Sequence, residues 1–424
     1  MSTLHTTSAD AGLDRRRFAW WRTLGKAGRR AFAGAFGGYA LDSYDYQVLP
    51  LGLVAIAAYF HVGTGQAGLL STVTLVVSAV GGALAGLLAD HIGRVRTLMI
   101  TVGTYAVFTV LCGFAPNFDT LLVLRALQGI GFGGEWAIGA ILVAEYAHPR
   151  YRGRAVGFVQ SSWAVGWGLA VIVYEIVFNL VDQAMAWRVL FWTGALPALL
   201  VIYVRKRVKD APHAAGLPEA VRPRASFFAI WRDGLARTTF FASLLATGVQ
   251  GGYYTLATWL PAYLKTTRHL SVVNTGGYLA FAITGAFLGY AVGAYLSDLF
   301  GRRRTFALFA ALSAVLIVAY AGVPVGTGDS FVMVLGFPLG FCASAIFSGF
   351  GSFLAELYPV AVRGTGQGFT YNFGRAVGAV FPTIVGFLAV SVGIGGAMLF
   401  GALAYGIAVL ALLGLPETRG RVLA

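Results

Sequence analysis

Asp42 and Asp45 stand three residues apart inside an apolar run that opens near Ala31. An ionised side chain at the middle of a bilayer costs roughly 2.5 to 3.5 kcal/mol, so each carboxylate there needs a partner or a use. At about 1.5 Å per helical residue, the two lie about 16 to 21 Å along the helix from Ala31, near mid-depth. Three residues apart, they occupy neighbouring faces, and a carboxyl group in that setting is a candidate proton carrier. Glu135, in the run Gly133-Gly134-Glu135-Trp136, is a third candidate, beside glycines that let helices approach closely. Arg375, in Asn372-Phe-Gly-Arg375, puts a guanidinium well inside another apolar run. That group binds carboxylates two-pronged and stays charged at any working pH. A fixed cation in the second half of the chain, facing proton-carrying carboxylates in the first, suits an anionic solute taken up with protons. Asn372 and Gln250 are candidate neutral contacts, and Tyr253 and Tyr254, beside Gly251 and Gly252, are the preferred aromatic ones. Most aromatic residues in membrane helices serve packing or the interface belt. Arg125 shares its depth with Glu175, which reads as a structural ion pair, and Asp45 is its other possible partner.

The elements that must position these residues are set by composition. Of 424 residues, 58% are apolar and 11% charged, against about 25% charged in soluble domains. Twelve runs of about 20 apolar residues, the length that crosses a bilayer core, cover 31 to 60, 66 to 89, 97 to 115, 119 to 144, 155 to 180, 187 to 204, 239 to 264, 275 to 299, 304 to 324, 330 to 356, 366 to 390 and 395 to 415. The tails and alternate loops hold most of the 31 Lys and Arg residues, with Arg188, Lys265 and Arg268 on the opposite side, which places both termini in the cytoplasm. The formal charge of +14 therefore reports topology and not a nucleic-acid partner. Both cysteines, Cys112 and Cys342, fall in apolar runs, so no disulfide framework or metal-ligand spacing is available. The six histidines map to tails, loops or their borders, which disfavours proton coupling through a buried imidazole. Residues 1–30 lack the apolar core and cleavage site of a secretory signal.

The expected organisation is a cytoplasmic tail over 1–30, a six-helix bundle over 31–204, a basic, proline-bearing linker over 205–237, a second bundle over 238–415 and a tail over 416–424. Two motifs recur across the linker. Leu88-x-Asp90-x-x-Gly93-Arg94-x-Arg96-Thr97 returns as Leu296-x-Asp298-x-x-Gly301-Arg302-x-Arg304-Thr305, and Ala144-Glu145 with Arg152-Gly153 and Gly157 returns as Ala355-Glu356 with Arg363-Gly364 and Gly368. Six is even, so the halves insert in the same sense, the parallel-repeat case whose solute site lies between them. Asp90, Arg94, Glu145 and Arg152, with Asp298, Arg302, Glu356 and Arg363, are placed to form a cytoplasmic gate of ion pairs between helix ends. Pairs of this kind are worth under about 1 kcal/mol each and break readily.

At these residues the chain resembles the major facilitator superfamily. Gly86-Leu-Leu-Ala-Asp90-His-Ile-Gly93-Arg94-Val-Arg96 looks like that superfamily's signature loop. Tyr44-Asp45, Arg125-x-x-x-Gly129, Glu145 with Arg152-Gly153, and Pro416-Glu417-Thr418-Arg419-Gly420 look like its sugar-porter-related branch. The pair Asp42-x-x-Asp45, the Gly133 to Trp136 run and the arginine in the eleventh helix look most like the branch's sialate/monocarboxylate and aromatic-acid symporters. The resemblance implies an all-α membrane protein of twelve transmembrane helices in two pseudo-symmetric bundles, with Asp45 and Arg125 as the coupling pair and Asp42 as a second carboxylate that sugar porters lack. The fifth helix lacks the Gly-Pro element of drug/proton antiporters.

The reading that follows is a proton-coupled symporter importing a small organic anion, a monocarboxylate such as lactate or pyruvate or a sialate-like sugar acid, with no cofactor beyond the coupling proton. It would act as a monomer in the inner membrane. An aromatic-acid symporter is the neighbouring alternative, and a membrane receptor that does not transport is one of another class. No nucleophile-base set or metal cluster shares a depth, so an enzyme is not expected.

Overall fold

The computed structural model describes residues 19–147, 152–208, 227–232, 234–325, 329–359 and 362–419, nearly all helical. After a short helix at Ala19–Thr23 come α1 (Gly25–Phe60), α2 (Thr64–Ile92), α3 (Arg94–Cys112) and α4 (Phe118–Tyr146). Next come α5 (Arg152–Gln160, resumed as Ser162–Leu180) and α6 (Gln183–Trp192, resumed after a 3-10 turn as Leu196–Arg207). The second half holds α7 (Leu235–Thr266), α8 (Val272–Phe300), α9 (Arg302–Gly322), α10 (Asp329–Glu356), α11 (Arg363–Gly378) and α12 (Phe381–Leu413). Gly393, with φ 72 and ψ 166, breaks α12, so its first part prolongs α11 and its second part returns through the bundle. Each of the twelve apolar runs falls on one of these helices or on such a resumed pair.

Helices suit a long, continuously apolar run in lipid, because every backbone N–H and C=O is satisfied within the segment. Eight stretches among the described residues are long and apolar enough to cross a membrane, from Thr64–Gly86 to Arg363–Leu413. The remaining long helices, α1, α4 and α7, measure 36, 29 and 32 residues and carry the polar side chains of the site. α1 opens at Gly25, six residues before the apolar run, since Lys26, Arg29 and Arg30 extend the helix beyond the depth that hydropathy reports. Large apolar side chains such as Leu180 and Val390 stand exposed on the outer surface, as a lipid-facing bundle requires.

The repeat seen in the motifs is present in the packing. α2 lies against α4, and α8 against α10. A Cβ on Gly129 of α4 would strike the Thr74 carbonyl of α2, and one on Gly340 of α10 would strike the Ala282 carbonyl of α8. Gly340 follows Gly129 at the displacement that separates Glu145 from Glu356, and Ala282 follows Thr74 at the one that separates Asp90 from Asp298. The turns into α3 and α9 match too, with Gly93 and Gly301 at φ 93 and 96, a backbone that only glycine adopts without strain. The halves meet where α2 lies on α11 and α12, α5 on α8, and α1 on α7. Thr72 donates from Oγ1 to the Ala379 carbonyl (2.6 Å), and Thr64 to the Gly386 carbonyl (2.6 Å), across that seam.

Candidate functional site

The two aspartates of α1 face different interiors. Asp45 is wholly buried within the first half. Thr109 of α3 donates to its Oδ1, and Gln128 of α4 donates from Nε2 to its Oδ2. Arg125 does not bond Asp45 directly; its Nη1 donates to Gln128 Oε1 at 2.5 Å, so the expected pair is joined through an amide. The second expected partner of Arg125, Glu175, instead sets its carboxylate against Gly276 of α8. The Asp45 cluster sits inside the first half because α3 and α4 flank α1 and because Gly194, in the turn within α6, leaves room beside Asp45 Oδ1.

Asp42 is buried, one helical turn from Tyr39 and from Tyr46, both of which pack on Trp163, and it lies within electrostatic reach of Tyr39 and Arg375. Arg375 of α11 crosses the space between the halves. Its Nη1 lies 3.5 Å from the Gly133 carbonyl of α4 and its Nη2 3.4 Å from the Tyr371 hydroxyl, while its Nε has no hydrogen-bond partner among the described residues. The guanidinium carbon stands 5.1 Å from the Tyr371 ring centre and 6.0 Å from that of Phe132. The walls are aromatic. Tyr46 lies 5.8 Å from Phe132, 5.8 Å from Trp163 and 6.2 Å from Tyr254, centroid to centroid. Trp163 Nε1 donates to the Tyr253 hydroxyl at 2.5 Å, tying α5 to α7. A mostly apolar cavity lined by Trp167, Tyr253, Leu256, Leu339 and Ser344 continues from these aromatics.

The neutral candidates have structural work as well. Gln250 uses both ends of its amide inside the protein, donating to the Tyr371 carbonyl at 2.9 Å and accepting from the Tyr254 hydroxyl at 3.1 Å. It thereby fixes α7 to α11 one turn before Arg375. Asn372 donates to the Gly368 carbonyl, and its Oδ1 faces Gly82 of α2 across the seam.

At the helix ends of the second half, Arg302 pairs with Glu356 at 3.4 Å and donates to Ser297 Oγ. Arg363 turns back onto the Ala355 and Tyr358 carbonyls at the end of α10. Two further members come from the segment after α12. Thr418 donates to Glu356 at 2.5 Å, and the Glu417 carboxylate accepts from the backbone N–H groups of Arg302, Arg303, Thr418 and Arg419. Burial works against ionised Glu417, but those four N–H groups outweigh it and hold the carboxyl below its usual range. The side chains of Asp90, Glu135, Glu145, Arg152 and Asp298 lie outside the described residues, and Arg94 is among those that make contacts at the matching end of the first half.

Thr109, Gln128, Glu417 and Thr418 extend the residues expected from sequence. Gln128 could have been found, since it follows Arg125 by one helical turn, and Glu417 and Thr418 lie in the Pro416 to Gly420 run. A single threonine in an apolar helix gives no such signal.

The sequence model of the Major Facilitator Superfamily matches residues 35–295 and again 278–423. A protein of Cupriavidus pinatubonensis named "Probable 4-methylmuconolactone transporter" is 41% identical over 406 residues, covering 95% of this chain and 94% of that protein. The cis,cis-muconate transport protein of Acinetobacter baylyi is 30% identical over 379 residues, covering 86% and 89%. Among solved structures, the proton:xylose symporter XylE bound to 6-bromo-6-deoxy-D-glucose superposes with a TM-score of 0.74 at 17% identity, covering 94% of this chain and 98% of that one. That likeness is one of fold.

Proposed function

This chain belongs to the Major Facilitator Superfamily and is a multi-pass membrane transporter, not an enzyme; within that family we propose that it is a proton-coupled symporter importing a small organic anion by alternating access. In this reading both termini face the cytoplasm across the inner membrane, and the coupling ion is the proton. The observation that carries it is Arg375, a buried cation of the second half that reaches the Gly133 carbonyl of the first and shares its surroundings with Asp42.

The coupling follows from charge. While Asp42 is ionised it balances Arg375. A solute carboxylate that takes the guanidinium for itself leaves Asp42 as an uncompensated buried anion, which is strongly unfavourable. Protonation of Asp42 removes that penalty, so anion and proton enter together. A carboxylate bound to Arg375 then also lies against first-half groups, and the halves close around it.

Within the organic anions, the aromatic walls favour a planar, unsaturated or aromatic acid over lactate or a sugar acid, because Tyr46, Phe132, Trp163 and Tyr254 offer ring faces and few hydrogen-bonding groups. Relatives named for muconolactone and muconate agree with that choice. The test is uptake into proteoliposomes under an inward proton gradient, with labelled cis,cis-muconate, benzoate and lactate. Arg375→Ala is expected to lower uptake of the preferred acid at least about tenfold, the loss of hydrogen bonds to a charged group. Asp42→Asn is expected to abolish the response to the gradient while leaving exchange of acid for acid. Full, gradient-driven uptake by both variants would dismiss the assignment.

A further inference from the structure

The bonds around Asp45 accommodate two protonation states. Thr109 Oγ1 lies in donating position to Asp45 Oδ1 and also, at 2.8 Å, to the Tyr105 carbonyl one turn back in α3, yet a hydroxyl has one hydrogen. Gln128 Nε2 spends one hydrogen on Asp45 Oδ2 and directs the other to Thr109 Oγ1 at 2.7 Å, and its Oε1 accepts from Arg125. The amide can stand only this way round, because Arg125 only donates. With Asp45 ionised, the Thr109 hydrogen points to Oδ1, and the Tyr105 carbonyl keeps only its helix partner. With a proton on Oδ1, that proton is donated to Thr109 Oγ1, and the threonine hydrogen turns to Tyr105. Gln128 and Arg125 stay as they were. In each state the Asp45 carboxyl, the Thr109 hydroxyl and the Gln128 amide are all bonded, and the two states differ by one proton and one hydroxyl rotation.

We propose that Thr109 is a hydroxyl switch that lets Asp45 take up and release a proton at its Oδ1, with Gln128 as the positioning residue that keeps Arg125 joined to the site in both states. This rests on the symport reading for its purpose, but not for its chemistry. Among the described residues, the ionisable groups within electrostatic reach of Asp45 include Arg125 of α4, Cys112 of α3 and the neighbouring Tyr44, whose hydroxyl is bonded to Thr193 in the turn of α6. Cys112 is an unpaired thiol, which leaves Arg125 as the charge that Asp45 answers.

The test reads the proton directly. Infrared difference spectra of the detergent-purified full chain, recorded through a pH titration, should show a protonated-carboxyl band that is absent from Asp45→Asn. Thr109→Val keeps the volume but removes the donor to ionised Oδ1, so the midpoint of that band should move to higher pH by about one unit. Thr109→Ser should restore the original midpoint, and Thr109→Ala serves if the valine variant does not fold. A midpoint unmoved in both valine and alanine variants, or a serine variant displaced as far as they are, would overturn the switch. If the wild-type protein accumulates no acid under a proton gradient, the symport reading fails while the titration still decides the switch. If it accumulates acid and the Asp45 band is missing, the switch alone fails.

Discussion

Gln47 lies two residues beyond Asp45 on α1 and is wholly buried, yet among the described residues neither its Nε2 nor its Oε1 has a hydrogen-bond partner. A buried amide in that condition costs about 1 to 3 kcal/mol. Gln47→Leu, of similar volume, is therefore expected to stabilise the protein by about 1 kcal/mol or more, read as a higher thermal unfolding midpoint in detergent. A midpoint that stays put or falls would mean that the amide is served by water. At this scale the sequence was most readable where charge was involved. Asp42, Asp45, Arg125 and Arg375 stand out because an apolar run makes any ion conspicuous. Which way each one faces was not readable: a separation of three residues puts two side chains on adjacent faces, and the neighbours that divide them, Thr109 and Gln128 for Asp45 and Gly133 for Arg375, come from other helices.

The helices themselves follow from hydropathy, and their mutual approach follows from glycine. Gly129 against the Thr74 carbonyl and Gly340 against the Ala282 carbonyl are the same contact made twice. Gly129→Ala and Gly340→Ala are each expected to destabilise by about 1 to 3 kcal/mol, the cost of overpacking a close contact. Gly103→Ala, at a helical position with open space around the missing Cβ, should instead gain about 1 kcal/mol from helix propensity. Thermal unfolding of the three variants checks this, and equal behaviour of all three would refute it. The breaks between Gln160 and Ser162, between Trp192 and Leu196, and between Gly378 and Phe381 were not legible in the apolar runs. Hydropathy measures depth in lipid and is blind to a local change of helix direction. The motif repeat was legible because it lies at helix ends, where residue type fixes the turn, as Gly93 and Gly301 show.

On the scale of the whole molecule, two halves share a seam, and the proposed alternating access requires that seam to open at one end. At the end marked by the Gly63 and Gly393 turns it is tight: Thr64 bonds the Gly386 carbonyl, and a Cβ on Gly68 would come within 2.7 Å of the Pro382 carbonyl. Gly68→Leu cannot be accommodated by a side chain moving aside, because the obstacle is backbone. Its strain, about 1 to 3 kcal/mol, is present only while this end is closed, so it acts on the equilibrium between states and not on the fold of either half. Roughly tenfold per 1.4 kcal/mol is the conversion, so the open-to-closed ratio at this end should rise about fivefold to a hundredfold. Spin labels at Gly63 of the first half and Gly277 of the second, both positions with open space, would report it as growth of a longer distance. Uptake should fall because one closed state is disfavoured, while the unfolding midpoint stays close to that of the unmodified protein. An unchanged distance distribution with a lowered midpoint would show that the seam is fixed packing and that the halves move elsewhere.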